Sequence, residues 1–173
     1  MAMNHQITSV FKDTIKTNNM STYNENVPEI KLRKKNGNSI EAKIKSPKDA
    51  ERFFRSVFDN EELEVREQCM AVFLNQYHTT IGYFLVSVGG ITATIVDQRL
   101  LFRAAIECGA TSVILAHNHP SGSLVPSDHD LDLTKKLYKG GEILGIKLLD
   151  HIILTASAFF SMADENIMDK IKQ

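Results

Sequence analysis

A short apolar run, Val113–Ala116, ends directly on His117-Asn118-His119-Pro120, and a long patterned segment opens at Ser127 and stops at Gly145. A second apolar run, Ile146–Leu154, follows at once. This order of strand, loop, helix and strand limits the fold more than any other feature of the chain. A strand-length apolar run bounded by turn residues reads as a buried strand. A helix between two such runs has to cover a face of the sheet they form. The stretch therefore reads as an α/β unit.

The rest of the chain can be read the same way. Cys69–Leu74 and Gly82–Val88 are apolar and strand-length, and the polar stretch Asn75–Ile81 suits a hairpin connection. Asp97 to Cys108 predicts a helix, with Asp97 as cap, Gly109 as stop, and Leu100, Leu101, Ala104, Ala105 and Cys108 as its inner stripe. Glu61–Glu67 suits a short helix or turn. Ser46-Pro47-Lys48-Asp49 is a helix start: serine caps, proline fits the first helical position, and an acid follows three residues after the cap. That helix should run to about Phe58 and bury Ala50, Phe53, Phe54 and Val57. Before it, Ile30, Leu32 and then Ile40, Ala42, Ile44 alternate with polar residues around Asn36-Gly37, the pattern of a tight hairpin. Residues 1–27 are polar and read as a flexible segment, with one short helix expected near Ile7–Ile15. Ala158 to Lys172 is expected to be mostly helical. The expected organisation is 1–27 as a flexible N-terminal segment, 28–59 as a basic hairpin plus helix, and 60–173 as the main domain.

Composition narrows the function classes. No apolar stretch approaches the roughly 18 residues of a membrane helix, and Met1–Thr17 lacks the continuous apolar core of a signal peptide. No membrane partner is expected. Cys69 and Cys108 each sit in apolar surroundings and neither belongs to a CxxC pair, which suits buried thiols in a reducing, cytoplasmic setting. A net charge of −1 argues against electrostatic nucleic-acid binding by the chain as a whole. The charge is uneven, however: seven basic residues and one acid, Glu41, lie between Lys31 and Lys48. A weak nucleic-acid contact there competes with a simpler role, since edge strands often carry lysine against aggregation.

The chemistry concentrates after the central strand. Residues two apart in an extended segment face the same side, so His117 and His119 can reach one point. Pro120 and Gly122 turn the chain, and Asp130 falls in the first turn of the next helix, where a tight loop can return its carboxylate to the histidines. Two neutral imidazole nitrogens and one carboxylate oxygen suit zinc, with a fourth position left for water. Each piece also has a plain structural reading. A His-x-His pair can simply end a strand, and Ser127-x-x-Asp130 is an ordinary helix start.

The string His117-x-His119, seven residues, Ser127-x-x-Asp130 resembles the JAMM (MPN-plus) metalloprotease motif. His117-Asn118-His119-Pro120-Ser121-Gly122, with Pro126-Ser127 and Leu148-Leu149-Asp150-His151, is similar to the bacterial RadC family in particular. The likeness covers roughly residues 60 to 155. It implies a cytidine-deaminase-like JAB/MPN fold, an α/β (α+β) sandwich with a central mixed sheet flanked by helices, one Zn2+ per chain held by His117, His119 and Asp130, and hydrolysis of a peptide or isopeptide bond. It also implies an upstream glutamate as general base. Glu67, just before the apolar run Cys69–Leu74, matches that place, and Glu64 is the competitor. In the implied mechanism Ser127 helps stabilise the oxyanion. Asp150 or His151 could orient a ligand histidine, though His151 equally suits an ordinary core position. Nothing near the N-terminus looks like the helix-hairpin-helix DNA-binding module of many RadC-type proteins, and Ser123-Leu124-Val125 is more apolar than the family's usual loop. Two alternatives stand beside the hydrolase: a DNA-repair or mobile-element accessory protein, and a metal-binding interaction module with little turnover. The identity of the substrate and the oligomeric state stay open.

Overall fold

The computed structural model describes residues 42–90 and 95–171. The expected helix near Ile7–Ile15, the turn at Asn36-Gly37 and most of the basic stretch Lys31–Lys48 lie outside them. Among the described residues the elements run α1 (Pro47–Val57), β1 (Gln68–Leu74), β2 (Thr80–Val88), α2 (Gln98–Glu107), β3 (Ser112–Asn118), α3 (Asp128–Leu144), β4 (Lys147–Leu154), β5 (Phe159–Ser161) and α4 (Ile167–Ile171). The strands form one mixed sheet in the order β2-β1-β3-β4-β5. Only the β3/β4 pair is parallel, and helix α3 makes the crossover between them. A sheet of this kind flanked by helices is the α+β architecture the sequence implied.

Both faces of the sheet are covered, which explains why β1 and β3 read as continuous apolar runs with no alternation. Alternate residues serve different layers. Cys69, Ala71 and Phe73 of β1 and Val113 and Leu115 of β3 pack with Leu101, Phe102 and Ala105 of α2, and with Leu133 and Leu137 of α3. Met70, Val72 and Leu74 of β1 and Ile114 and Ala116 of β3 pack on the other side with Ala50 and Phe54 of α1 and with Phe58 and Leu63. Helix α1 thus contributes directly to the core. Phe54 is fully buried, and removing its ring should cost about 3–5 kcal/mol.

Two expectations need correction. Leu100 was assigned to the inner stripe of α2 but is exposed, and Phe102 is buried in its stead. The helix is rotated so that Leu101, Phe102 and Ala105 face the sheet. The stretch after Ala158 is not mostly helical. Phe159–Ser161 pair antiparallel with Ile152–Leu154, and among the described residues of the stretch only Ile167–Ile171 is helical. Two anchors direct that reversal. Arg55 of α1 donates to the carbonyls of Thr155 and Ala158 at 3.1 Å each. Buried Asp150 accepts from Ser161 Oγ at 2.6 Å and from Ala163 N at 2.9 Å. Tertiary bonds of this kind override the local helical pattern.

The far end of α3 depends on glycine. Gly145 ends the helix in the left-handed conformation, at φ 69°. At Gly141 a Cβ would lie 2.2 Å from the Ile146 carbonyl oxygen, so the chain can double back into β4 only with no side chain there.

Candidate metal centre

The site forms where β3 meets the start of α3. Alternation puts His117 on the same face as Val113 and Leu115, toward α3. His119 follows two residues later, its amide donating to Leu154 O at 2.9 Å as the strand pairing is extended. Ser127 caps α3: its Oγ accepts from Asp130 N at 3.2 Å, while Ser127 N and Ser127 Oγ donate to Asp130 Oδ2 at 2.8 and 2.7 Å. This reciprocal box satisfies donors at the helix start. It also fixes the Asp130 side chain in one orientation, facing the histidines.

Three side chains converge there. His117 Nε2 lies 2.9 Å from His119 Nε2 and 3.2 Å from Asp130 Oδ1, and His119 Nε2 lies 3.5 Å from Asp130 Oδ2. One ligand-type atom from each residue falls within 4.8 Å of the others, a group that could hold a metal ion. His117 and Asp130 are buried, and His119 is half-buried.

The proton positions sharpen this. His119 Nδ1 sits 2.8 Å from the Ser123 carbonyl, which can only accept. Nδ1 therefore carries a proton, and Nε2 is the nitrogen that faces His117. Two ring nitrogens at 2.9 Å need a proton or a cation between them, and the Asp130 carboxylate places negative charge beside the same spot. The donor set fits a divalent metal. The electrostatics agree. The hydrogen bond to Asp130 raises the pKa of His119, against an opposing effect of burial. Burial works against an ionised Asp130, but hydrogen bonds from His117 and His119 outweigh it and hold the carboxyl far below the usual range.

Glu67 stands at the entrance to β1. Its backbone pairs with the turn after β2, Glu67 N donating to Gly90 O and Gly89 N to Glu67 O, both at 2.8 Å. Cys69, two residues on, lies opposite His117 in the β1/β3 ladder. The half-buried Glu67 carboxylate is one of the charges that raise the pKa of His119, and with burial and Asp130 it also helps keep the Cys69 thiol protonated. Glu64 is exposed.

Asn118 was not foreseen as part of the site. It is fully buried on the α1 side of the sheet. Its Oδ1 accepts from Gln68 N at 2.7 Å, and its Nδ2 donates to Leu63 O and Arg66 O at 2.8 Å each. The amide thereby clamps the turn that leads into Glu67 onto the tip of β3. The available signal was alternation: a polar residue between two same-face histidines must face the opposite layer, where its amide needs partners.

Residues 44–167 match the family model described as the RadC-like JAB domain. The chain belongs to that family. It is 46% identical over 125 residues to a UPF0758 protein of Flavobacterium johnsoniae, a stretch covering 72% of this chain and 53% of the relative. A UPF0758 protein of Staphylococcus carnosus is 39% identical over 127 residues, covering 73% and 55%. One from Carboxydothermus hydrogenoformans is 44% identical over 102 residues, covering 59% and 45%. The chain spans about half the length of these relatives.

Within this RadC-like JAB domain, the two candidates on β4 separate cleanly. His151 reaches the site: its Nε2 lies 2.8 Å from His117 Nδ1, and its Nδ1 lies 2.6 Å from Thr134 Oγ1. Complete burial, reinforced by the neighbouring His117, holds its pKa well below the ordinary histidine value. Asp150 instead bonds to Ser161, Ala163 and the His151 amide, and burial raises its pKa. Thr134 was also unforeseen, although it sits one helical turn after Asp130 and so shares its face. His129 and His78 are exposed. No described helix is long and apolar enough to cross a membrane.

Proposed function

We propose that this chain is a zinc-dependent metallohydrolase that cleaves peptide or isopeptide amide bonds in the cytoplasm. The convergence of His117 Nε2, His119 Nε2 and the Asp130 carboxylate carries this reading. His117, His119 and Asp130 would hold the ion, and Zn2+, when bound, supplies a Lewis acid and lowers the pKa of water toward neutrality. Glu67 takes a proton from the attacking water and passes it to the leaving amine. Its partial burial and its charge effect on His119 support it over exposed Glu64. Ser127 holds Asp130 in orientation through its hydroxyl proton. Donating to an oxyanion requires Ser127 to release that bond first.

The test combines metal content with cleavage. Protein purified without added zinc should contain stoichiometric zinc, and His119→Ala should lose both the metal and cleavage of a library of α- and ε-linked amides. Glu67→Gln should lose cleavage and keep the metal. Full cleavage by either variant would sink the assignment. Tight zinc binding with the whole library untouched would favour the alternative, an accessory module that binds DNA or protein with little turnover.

A further inference from the structure

We infer that Thr134 and His151 preset the proton arrangement of His117, fixing a hydrogen on its Nδ1 so that Nε2 is the nitrogen left to face the metal position. The consequence rests on the metal-site reading above, while the proton arrangement is a property of the metal-free chain.

One hydroxyl proton decides the arrangement. Thr134 Oγ1 lies 2.5 Å from the backbone carbonyl of Asp130. Two oxygens that close need a proton between them, and the carbonyl has none to give. The Thr134 hydroxyl therefore donates to Asp130 O. Met162 Sδ, at 3.4 Å, is a weaker acceptor on the same hydroxyl, and a proton aimed there leaves the next step unchanged. His151 Nδ1 lies 2.6 Å from that same Oγ1. With its single proton committed, Thr134 can only accept from His151, so His151 Nδ1 carries a hydrogen. A second ring proton would make His151 a cation with no solvent exposure, so its Nε2 is bare. That bare nitrogen lies 2.8 Å from His117 Nδ1. His117 Nδ1 must therefore donate, and Nε2 is the nitrogen left for an ion. It points at His119 Nε2 and Asp130 Oδ1.

This arrangement has a cost to avoid. Free neutral imidazole favours the opposite tautomer, with hydrogen on Nε2, which would block the nitrogen the metal needs. The partner of the far nitrogen decides which form is present. For His119 that partner is the Ser123 carbonyl; for His117 it is His151, itself set by Thr134. The Thr134 bond to Asp130 O closes the loop, so one hydroxyl supports two of the three converging residues. Thr134 and His151 are positioning residues, since neither reaches the metal position.

The decisive measurement is a long-range 1H–15N spectrum of the histidine rings in the metal-free full chain at about pH 8.5, above the ordinary histidine range. His117 and His151 should each show a pyrrole-type Nδ1, and His151 a pyridine-type Nε2. A bare Nδ1 on either ring overturns the inference. Thr134→Val should move His151 away from the Nδ1–H form and weaken zinc binding roughly 10–100-fold, as expected when the partner of a ligand's partner is lost. Thr134→Ser should restore both. Unchanged ring shifts and zinc affinity in Thr134→Val would overturn the inference as well. Should that variant not fold, the spectrum of the unsubstituted chain still decides. A chain that binds no zinc but shows the stated tautomers would overturn the metal reading and leave the proton arrangement standing.

Discussion

Helices α1 and α3 open in the same way and serve different ends. Ser46 accepts from Asp49 N at 3.2 Å and donates to Asp49 Oδ2 at 2.9 Å. Ser127 accepts from Asp130 N at 3.2 Å and donates to Asp130 Oδ2 at 2.7 Å. In each, the amide at or just before the cap returns to the same carboxylate oxygen. The difference lies in what stands opposite. The Asp49 side chain is 30% exposed and has Arg52 at 3.7 Å, whereas that of Asp130 is 10% exposed and faces two histidines. A Ser-x-x-Asp start is thus a cap first. It becomes part of a site only where the fold sets a second layer of ligands against it.

The sharpest way to break that contrast is to remove the charge from each acid. Asp130→Asn should lower zinc affinity by more than the roughly 100-fold typical of losing an outer partner, measured by competition with a chelating dye. Asp49→Asn should leave it unchanged, and an equal loss there would erase the distinction. A second large effect concerns Glu67, the proposed base. Glu67→Gln should slow cleavage about 100- to 10,000-fold with zinc content intact; a parallel loss of zinc would make Glu67 a ligand instead.

Acidification separates the two starts more gently. Protons compete with metal for imidazole, so zinc affinity should fall as pH drops. The fall begins above about 6.5, because the His119 pKa is raised. The Asp49 pKa is lowered, chiefly by the Ser46 hydroxyl. A depressed carboxylate gives its stability above the unfolded value of about 3.9 and loses it as pH falls through the folded one. The α1 cap should therefore survive the whole range in which zinc is released, as stepwise zinc titration and circular dichroism can check. The smallest effect is shared: Ser46→Ala and Ser127→Ala should each cost about 1 kcal/mol in denaturant unfolding. Only Ser127→Ala should also weaken zinc, by about 10-fold.

Much of this was legible where local chemistry and periodicity agree. Asp97, Ser46 and Ser127 as caps, Gly109 and Gly145 beyond their helices, and the buried runs of β1 and β3 follow from rules that act within a few residues. Reading failed where partners were distant. Phe159–Ser161 have a helical neighbourhood but are held as a strand by Asp150 and Arg55. Leu100 and Phe102 exchanged roles because either places an apolar residue on a broad stripe, and only the sheet beneath chooses. In the site, the His117, His119, Asp130 spacing could be read along one segment. The Asn118 clamp and the Thr134–His151 link could not, since each joins separate elements.

The Asn118 clamp also bears on the order of folding. His117, His119 and Asp130 belong to one strand–loop–helix stretch, whereas Asn118 meets Gln68 across fifty residues of sequence. Closing the longer loop costs more chain entropy and waits on pairing between β1 and β3. A partly folded chain should then gather an ion before Glu67 arrives. Pulsed hydrogen exchange can time this, with the Gln68 amide protected later than the Asp130 amide. Metal capture and hydrolytic competence would be successive events in the life of the chain, with Asn118 marking the passage from one to the other.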